Sequence, residues 1–267
     1  MPYVSTNRIS LAYERIGNGA PVLLIMGQAA GGNAWTMHQV PALIEAGYQA
    51  ITFDNRGMPP SDVPRGDYSL ADLVTDTIGL IEALDVAPCR VVGTSLGALV
   101  AAELVASRPD LVTCCVLMAV RARADVFRWA LFTGDRALAQ SGTRVPHAYD
   151  APISVLQMFS PATLNDETTI QQWLDIYERS GARRDVAGGQ NAIDTISDYR
   201  EMLTTVSVPC RVIAFSDDLL CPPHLCAEVA DAIPECDYVE IGSCGHAGYL
   251  ERPDEVNSAI IEFLAKF

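Results

Sequence analysis

Long hydrophobic runs and positive charge are both scarce in this sequence. Lys and Arg total 18 residues against 33 Asp and Glu, which gives a formal net charge of -15 at pH 7. Nucleic acids and anionic membrane surfaces repel an acidic protein, so neither is expected as a partner. No window approaches the ~18 consecutive apolar residues of a membrane span, and residues 1–8 lack the basic-then-apolar layout of a secretory signal. We therefore expect a cytoplasmic protein.

Cysteine pairs at metal-binding or redox spacing are also missing. The sequence has eight cysteines but no Cys-x-x-Cys, and Cys114 and Cys115 are adjacent within an apolar run. The nearest approach to a metal cluster is Cys221, His224 and Cys226, which follows a predicted strand and has no second cluster to complete a site. We therefore expect free thiols and no bound metal, as is usual in a reducing compartment.

Hydrophobic residues are plentiful, at 49% of 267 residues, which is enough for one large core. Apolar runs typical of buried strands alternate with one-faced helical patterns, as in the helix predicted to follow a Ser69 N-cap. Residues 1–26 predict a hairpin that leads into a core strand, with a turn at Gly17-Asn18-Gly19. The core strands are predicted at 22–26, 49–54, 91–92, 114–120, 210–215 and 237–241. This alternation predicts an α/β fold, with a mostly parallel, twisted sheet and helices on both faces.

The segment between residues 121 and 205 has a different character. Strand patterns disappear, charged residues multiply, and helical stretches at 125–139 and 167–180 alternate with Gly and Pro. We interpret residues 121–205 as a helical cap inserted into a core made of residues 1–120 and 206–267. The cap contains several arginines, and we expect most of them on a charged surface rather than at a substrate carboxylate. They include Arg121, Arg123, Arg128, Arg144, Arg179, Arg183 and Arg184.

A Gly-x-Ser-x-Gly pattern joins a predicted strand to a predicted helix. Ser95 lies between Gly93 and Gly97, and residues 98–107 are apolar at almost every position. A sharp turn strains the backbone of the serine, so its neighbours must be nearly free of side chain, and the hydroxyl is then presented at a helix N-terminus. A chance pattern in a loop is the alternative, but the strand before it and the helix after it favour the nucleophile elbow of a serine hydrolase.

A glycine-rich loop at residues 27–32 directly follows the first core strand. Its length and position suit a loop that brings a backbone N–H toward Ser95. A phosphate-binding loop is the competing interpretation, but neither Gly-x-Gly-x-x-Gly nor Gly-Lys-Ser/Thr is present.

The serine needs a nearby base and an acid that orients it. His246 lies in a flexible loop after the last strand, where a base can reach the sheet edge. The loop after the penultimate strand offers two acids, Asp217 and Asp218, and the residues alone leave both open. The three histidines that we interpret as surface or structural are His38, His147 and His224.

The chain resembles the α/β-hydrolase family in three features. These are the order serine, aspartate, histidine (Ser95, Asp217 or Asp218, His246), the Asp-x-Arg-Gly loop at 54–57 and the histidine loop at 245–253. The resemblance extends over essentially the whole chain. It is greatest to the cofactor-free, bromoperoxidase-type branch, whose members are serine esterases that also make peracids from carboxylic acids and hydrogen peroxide. The resemblance therefore implies an α/β-hydrolase fold with an inserted cap and no cofactor.

The resemblance also implies individual roles. In this family the acid usually stands four positions before a proline, which here selects Asp218, with Pro222. By the same match, the backbone N–H groups of Gln28 and Leu96 are the expected oxyanion donors, and the Gln28 side chain is expected only to line the pocket.

Two departures from the family pattern bear on the pocket. The loop after the first core strand usually begins His-Gly, but here it reads Met26-Gly27, and the Asp-x-Arg-Gly loop continues with Met58-Pro59-Pro60 instead of a second glycine. Both segments are expected to flank the pocket. The departures therefore bear on the identity of the substrate more than on the fold.

Three function hypotheses follow. The first is a serine hydrolase that cleaves a small acyl substrate, an ester or lactone, through an acyl-enzyme resolved by water or peroxide. The second is a carbon-carbon or thioester hydrolase, or a cyclase, acting on a metabolic intermediate, and the third is a non-catalytic ligand-binding scaffold. Epoxide hydrolases and dehalogenases are disfavoured because those relatives carry aspartate where this chain has Ser95. A small-molecule substrate is the expected partner, and a homo-oligomer is left open.

Overall fold

One eight-stranded sheet forms the centre of the computed structural model. The structure describes the backbone of residues 1–267 and the side chains of residues 1–179 and 189–267. The strands are β1 (Tyr3–Thr6), β2 (Ile9–Ile16), β3 (Ala20–Ile25), β4 (Tyr48–Phe53), β5 (Cys89–Thr94), β6 (Val112–Met118), β7 (Cys210–Phe215) and β8 (Cys236–Ile241). Their spatial order is β1-β2-β4-β3-β5-β6-β7-β8, and the six strands from β4 to β8 in that order are parallel. The predicted mostly parallel sheet is therefore confirmed.

The N-terminal hairpin is formed by β1 and β2. Its turn is at Asn7 and Arg8, which both adopt positive φ. The predicted turn at Gly17-Asn18-Gly19 instead links β2 to β3, and these two strands are not neighbours because β4 lies between them and pairs with both. The position of this turn was predicted correctly, but it does not close a hairpin.

Helices cover both faces of the sheet. One pair of helices, α1 (Gln39–Glu45) and α11 (Pro253–Leu264), packs together. A second contiguous layer is formed by α2 (Leu70–Ala83), α3 (Leu96–Ser107), α8 (Arg200–Leu203) and α9 (Pro223–Ala232). The predicted Ser69 N-cap begins α2, where its hydroxyl accepts from the Asp72 N–H in a capping box. A short helix, α10 (Gly248–Glu251), precedes α11.

The connection between β6 and β7 consists of helices joined by loops. It contains α4 (Val126–Gln140), α5 (His147–Met158), α6 (Pro161–Leu164), α7 (Glu167–Val186) and α8. Helix α4 buries none of its residues and exposes Val126, Phe127 and Trp129, whereas α8 packs against α3 and α9. The predicted cap range, 121–205, spans these helices, and the division of the chain at its two ends stays a prediction.

All eight cysteines are free thiols, and seven of them are buried. Three lie side by side across adjacent strands, with Cys115 on β6 paired in register with Cys210 on β7, and Cys210 with Cys236 on β8. Burial raises the pKa of Cys115 well above its usual range and that of Cys236 to about 12. In the described part of the chain, no helix combines the length and the apolar character needed to cross a bilayer.

Candidate active site

Ser95 occupies a strained turn between β5 and α3. Its backbone has φ 55° and ψ -121°, outside the regions that L-residues favour. A Cβ added to Gly93 would lie 2.4 Å from the Gly97 carbonyl oxygen, and one added to Gly97 would lie 2.2 Å from that of Ile25. The two glycines therefore allow the close packing that holds the serine at the helix N-terminus.

The structure brings Ser95, His246 and Asp218 together in one hydrogen-bonded relay. Ser95 Oγ lies 2.9 Å from His246 Nε2, and His246 Nδ1 lies 2.8 Å from Asp218 Oδ2. His246 is 5% exposed and Asp218 is 2% exposed. In the tautomer that donates Nδ1–H to the carboxylate, Nε2 is free to accept the serine proton. The second oxygen of Asp218 accepts from the backbone N–H groups of Leu220 and Cys221 at 2.7 and 2.8 Å, so the carboxylate is held at both ends.

The competing residues lie elsewhere. Asp217 donates its backbone N–H to the Cys244 carbonyl, and its half-exposed side chain does not contact His246. His224 is exposed and lies 3.8 Å from Asp125. In the described part of the chain, Ser95 has His246 as its imidazole partner rather than His38, His147 or His224.

Among the described residues, the ligand atoms of Cys221, His224 and Cys226 do not converge on one point. The Cys226 thiol donates to the Cys221 carbonyl oxygen, and His224 points to solvent. The group of metal-ligating atoms that does converge among the described residues is Asp218, Cys221 and His246. Both ring nitrogens of His246 are already hydrogen-bonded to Ser95 and Asp218. Burial raises the pKa of Cys221 to about 12, which favours the protonated thiol. The three residues therefore group together because Cys221 lies next to the hydrogen-bonded relay.

The glycine-rich loop after β3 passes directly over Ser95. A Cβ on Gly27 would lie 3.2 Å from the Ser95 Cβ. Among the described residues, neither the Gln28 nor the Leu96 N–H, the two predicted oxyanion donors, has a protein acceptor. The Gln28 side chain lines both cavities described below and donates to Asn191 Oδ1 at 2.7 Å.

Gln190 fixes this loop from a distant part of the chain. Its Oε1 accepts from the Ala29 N–H at 2.8 Å, and its Nε2 donates to the Arg56 carbonyl oxygen at 2.8 Å. Ala29 adopts a positive φ of 56°, and Gln190 is 1% exposed. The amide therefore holds an unfavourable backbone conformation one residue after Gln28. Sequence reasoning missed Gln190, and a lone glutamine in a helical region carries no signal for such a role.

The Asp-x-Arg-Gly loop also holds the glycine-rich loop in place. Asp54 Oδ1 accepts from the Gly32 N–H at 2.8 Å, and Asn55 Nδ2 donates to the Met26 carbonyl oxygen at 3.0 Å. Arg56 forms a buried bidentate ion pair with Asp76 on α2. This motif thus anchors the loop over Ser95, a structural use that the resemblance did not specify.

Glu251 holds the loop that carries His246. Its carboxylate accepts from the Gly245 N–H at 2.6 Å, from the Ser160 N–H at 3.0 Å and from the Thr163 hydroxyl at 2.5 Å. The predicted histidine-loop motif includes this residue, but not its partners on the connection between β6 and β7.

Two cavities meet at Ser95. The smaller has a volume of about 250 Å³ and extends past Leu96 and Leu99 to Arg121, Arg128 and Asp135. The larger, about 570 Å³, is lined by His246 and mainly by apolar and aromatic side chains that include Met158, Trp173, Tyr177 and Tyr249. Met26 lines the larger cavity as expected, but Met58, Pro59 and Pro60 line neither, and Met58 is fully buried.

The cap arginines differ in their ion-pair partners and in their exposure. Arg123 pairs with Glu228, and Arg128 pairs with Asp125 at 2.8 Å. Arg144 and Arg179 are exposed, as expected of a charged surface, and the side chains of Arg183 and Arg184 lie outside the described residues. Arg121 and Arg128 line the smaller cavity.

Known relatives match nearly the whole chain. A profile of the alpha/beta hydrolase family matches residues 22–259. The chain is 40% identical over 259 residues to the "putative non-heme bromoperoxidase BpoC" of Mycobacterium tuberculosis, covering 96% of this chain and 98% of the relative. The crystal structure of that protein from strain H37Rv has a TM-score of 0.91 at 39% identity, with 96% of each chain covered.

Two further relatives carry names that refer to hydrolysis. The "putative carbamate hydrolase RutD" of Azorhizobium caulinodans is 28% identical over 269 residues, which cover 98% of both chains. The crystal structure of the enol-lactonase from Burkholderia xenovorans LB400 has a TM-score of 0.84 at 26% identity and covers 99% of this chain and 100% of its own.

Proposed function

This chain belongs to the alpha/beta hydrolase family, in agreement with its motifs, and we propose that it is a serine hydrolase that cleaves a small ester or lactone through an acyl-enzyme. The observation that carries the proposal is the relay of 2.9 and 2.8 Å that joins Ser95, His246 and Asp218 beneath two open cavities. The names of the carbamate hydrolase and enol-lactonase relatives support a small carbonyl substrate.

In the proposed mechanism, His246 Nε2 removes the hydroxyl proton of Ser95 as Oγ attacks the substrate carbonyl. Asp218 stabilises the imidazolium that forms and keeps the ring in the productive tautomer. The negative charge on the carbonyl oxygen is stabilised by the N–H groups of Gln28 and Leu96, which have no protein acceptor among the described residues. The imidazolium then protonates the leaving alcohol, and a covalent Ser95 ester remains.

The second half of the reaction uses the same groups in reverse. His246 deprotonates an incoming water as its oxygen attacks the acyl carbon. The imidazolium then returns the proton to Ser95 Oγ as the bond between Oγ and the acyl carbon breaks, which releases a carboxylic acid and free Ser95. Hydrogen peroxide in place of water would release a peracid by the same proton transfers. The name of the Mycobacterium tuberculosis relative, a putative non-heme bromoperoxidase, supports this as a side activity.

The test is activity-based labelling of wild type and of Ser95→Ala. A fluorophosphonate should label one site of the wild-type protein, and mass spectrometry should place the label on Ser95. Ser95→Ala should lose both labelling and hydrolysis of nitrophenyl acetate, because the covalent step has no nucleophile. Ser154→Ala, which changes another serine of the larger cavity, should be labelled like wild type. Hydrolysis by Ser95→Ala above a few per cent of wild type would disprove the nucleophile.

A further inference from the structure

Arg121, which lines the smaller cavity together with Ser95, has no oppositely charged partner among the described residues. Within the described residues, the guanidinium of Arg121 has no carboxylate within ion-pair distance. Its hydrogen-bond partners are neutral: it donates to the carbonyl oxygens of Leu220 and Thr195, each at 3.2 Å, and more weakly to the Cys221 sulfur and the Thr195 hydroxyl. Its Nε is buried and has no acceptor at all. The side chain as a whole is half-buried, but a buried guanidinium nitrogen without any acceptor is unusual in a folded protein, so this arginine stands out.

The other charged groups of the smaller cavity do not supply the missing partner. Arg128 is paired with Asp125 and also donates to the Leu219 carbonyl oxygen. Asp135 lines the same cavity but forms no ion pair with Arg121. Burial and the nearby Asp150 raise the pKa of Asp135. Arg121 is thus a positively charged group of this cavity without an ion-pair partner among the described residues.

The position of His246 decides which part of a substrate enters this cavity. The general acid must lie beside the leaving oxygen. His246 lines the larger cavity and not the smaller one. The leaving group therefore extends into the larger, mostly apolar cavity, and the acyl group extends past Ser95 into the smaller cavity that contains Arg121.

Building on the proposed function, we infer that the acyl group of the substrate carries a carboxylate that binds Arg121. The substrate class is then the half-ester of a short dicarboxylic acid, with an apolar or aromatic alcohol as leaving group. A volume of about 250 Å³ lies below the usual ~300–1,000 Å³ of sites for drug-sized ligands, which limits the acyl chain to a few carbons. The carboxylate would supply the opposite charge that the guanidinium lacks.

Two esters of equal chain length test the charge preference. One is the nitrophenyl monoester of adipic acid, and the other is nitrophenyl hexanoate, which ends in a methyl group. Adipate is chosen because shorter half-esters cyclise spontaneously, and the remaining uncatalysed rate is subtracted. Wild type should have a higher kcat/KM for the adipate ester. A second pair places the charge on the leaving group, with carboxyphenyl hexanoate and its methyl ester, and here the charged member should not be preferred.

Variants of Arg121 test whether this arginine creates the preference. Arg121→Gln keeps hydrogen-bond donors but removes the charge, and it should lower the ratio of adipate to hexanoate kcat/KM by about tenfold to a hundredfold. Arg121→Lys should keep a ratio between those of Gln and wild type. Arg123→Gln is the matched control, because it removes a nearby arginine that pairs with Glu228 and does not line the cavity, and it should leave the ratio unchanged. The ratio cancels any loss of activity that affects both esters.

The outcomes separate this inference from the proposed function. A wild-type ratio of one or less overturns the inference without any variant. Equal ratios for wild type and Arg121→Gln, or for Arg121→Lys and Arg121→Gln, overturn it as well. If wild type hydrolyses neither ester and fluorophosphonate does not label Ser95, the proposed function itself fails.

Discussion

The strand-end loops and the helical connection between β6 and β7 contribute to the site in different ways. The loops supply Ser95, Asp218 and His246, whose polar atoms are matched by close neighbours. The connection supplies much of the cavity walls and is packed less tightly: nine of the twelve residues of α3 are buried, but none of α4. The comparison predicts that changes in the core loops alter the rate of the proposed reaction, whereas changes in the connection alter substrate preference.

The largest expected effect is in the core, at Asp218. Asp218→Asn should lower kcat by up to about 10⁴-fold with little change in KM, because the amide no longer stabilises the imidazolium or the correct tautomer. Asp217→Asn removes a charge one residue away, where the carboxylate does not contact His246, and should be close to neutral. Rate profiles of both variants below pH 8 decide between them. If Asp217→Asn is the variant that collapses, the relay is assigned to the wrong aspartate.

A smaller effect is expected where the connection touches the chemistry, at Gln190. Gln190→Leu leaves the Ala29 N–H and the Arg56 carbonyl without their buried partner and frees the loop that carries the Gln28 N–H. Since loss of one oxyanion donor costs about 10²–10³ in kcat, misplacing it should cost roughly tenfold to a hundredfold. KM should change little. Asn191→Ala, which changes the exposed neighbour, serves as the control. A Gln190→Leu variant that folds and keeps wild-type kcat would show that the connection does not position this loop.

The cavity wall should affect binding more than chemistry. Trp173 on α7 lines the larger cavity and stacks on Phe159 with ring centroids 4.7 Å apart. Trp173→Ala should raise KM for esters of aromatic alcohols by about tenfold, because burial of a large aromatic group is lost, while kcat stays near wild type. Ethyl and phenyl esters of the same acid, measured side by side, isolate this effect. A fall in kcat without a rise in KM would show that Trp173 affects the chemical step rather than substrate binding.

The smallest change is expected at the Gln28 side chain. Gln28→Ala removes an exposed hydrogen bond to Asn191 but keeps the backbone N–H that we assign to the oxyanion. The rate should stay within about threefold of wild type, far from the 10²–10³ of a lost donor. Steady-state kinetics on nitrophenyl acetate, with a crystal structure of the variant, provide the check. A hundredfold loss without structural change would transfer the role to the side-chain amide.

The same contrast explains what the sequence could predict. Ser95 can be predicted as the nucleophile because its glycine neighbours and the adjoining strand and helix are local signals, and the structure shows why the glycines are needed for the turn. The residues alone left Asp217 and Asp218 equal, since adjacent side chains on a loop point in directions that only the folded backbone sets. Family spacing favoured Asp218, and the structure places that residue beside His246.

Long-range partners had no such signal. Gln190 reaches Ala29 across 161 positions of the chain, and no local pattern marks either residue. The pairing of β2 with β4 rather than β3 has the same origin, because strand order depends on contacts that form only when the sheet assembles. Arg121 resembles the other cap arginines in sequence, and only the fold shows that it lines the smaller cavity without the carboxylate partner that Arg128 has there.

The row of thiols on β6, β7 and β8 makes the stability of this side of the sheet measurable residue by residue. A buried, protonated thiol reacts with iodoacetamide only after the surrounding structure opens, so its alkylation rate reports the free energy of that opening. Cys236, half-buried on the edge strand, should be modified first, and Cys115 and Cys210 should follow only as deeper strands separate. Peptide mass spectrometry of the unmodified wild-type protein would therefore show whether the strands that precede the Asp218 and His246 loops open together or one at a time.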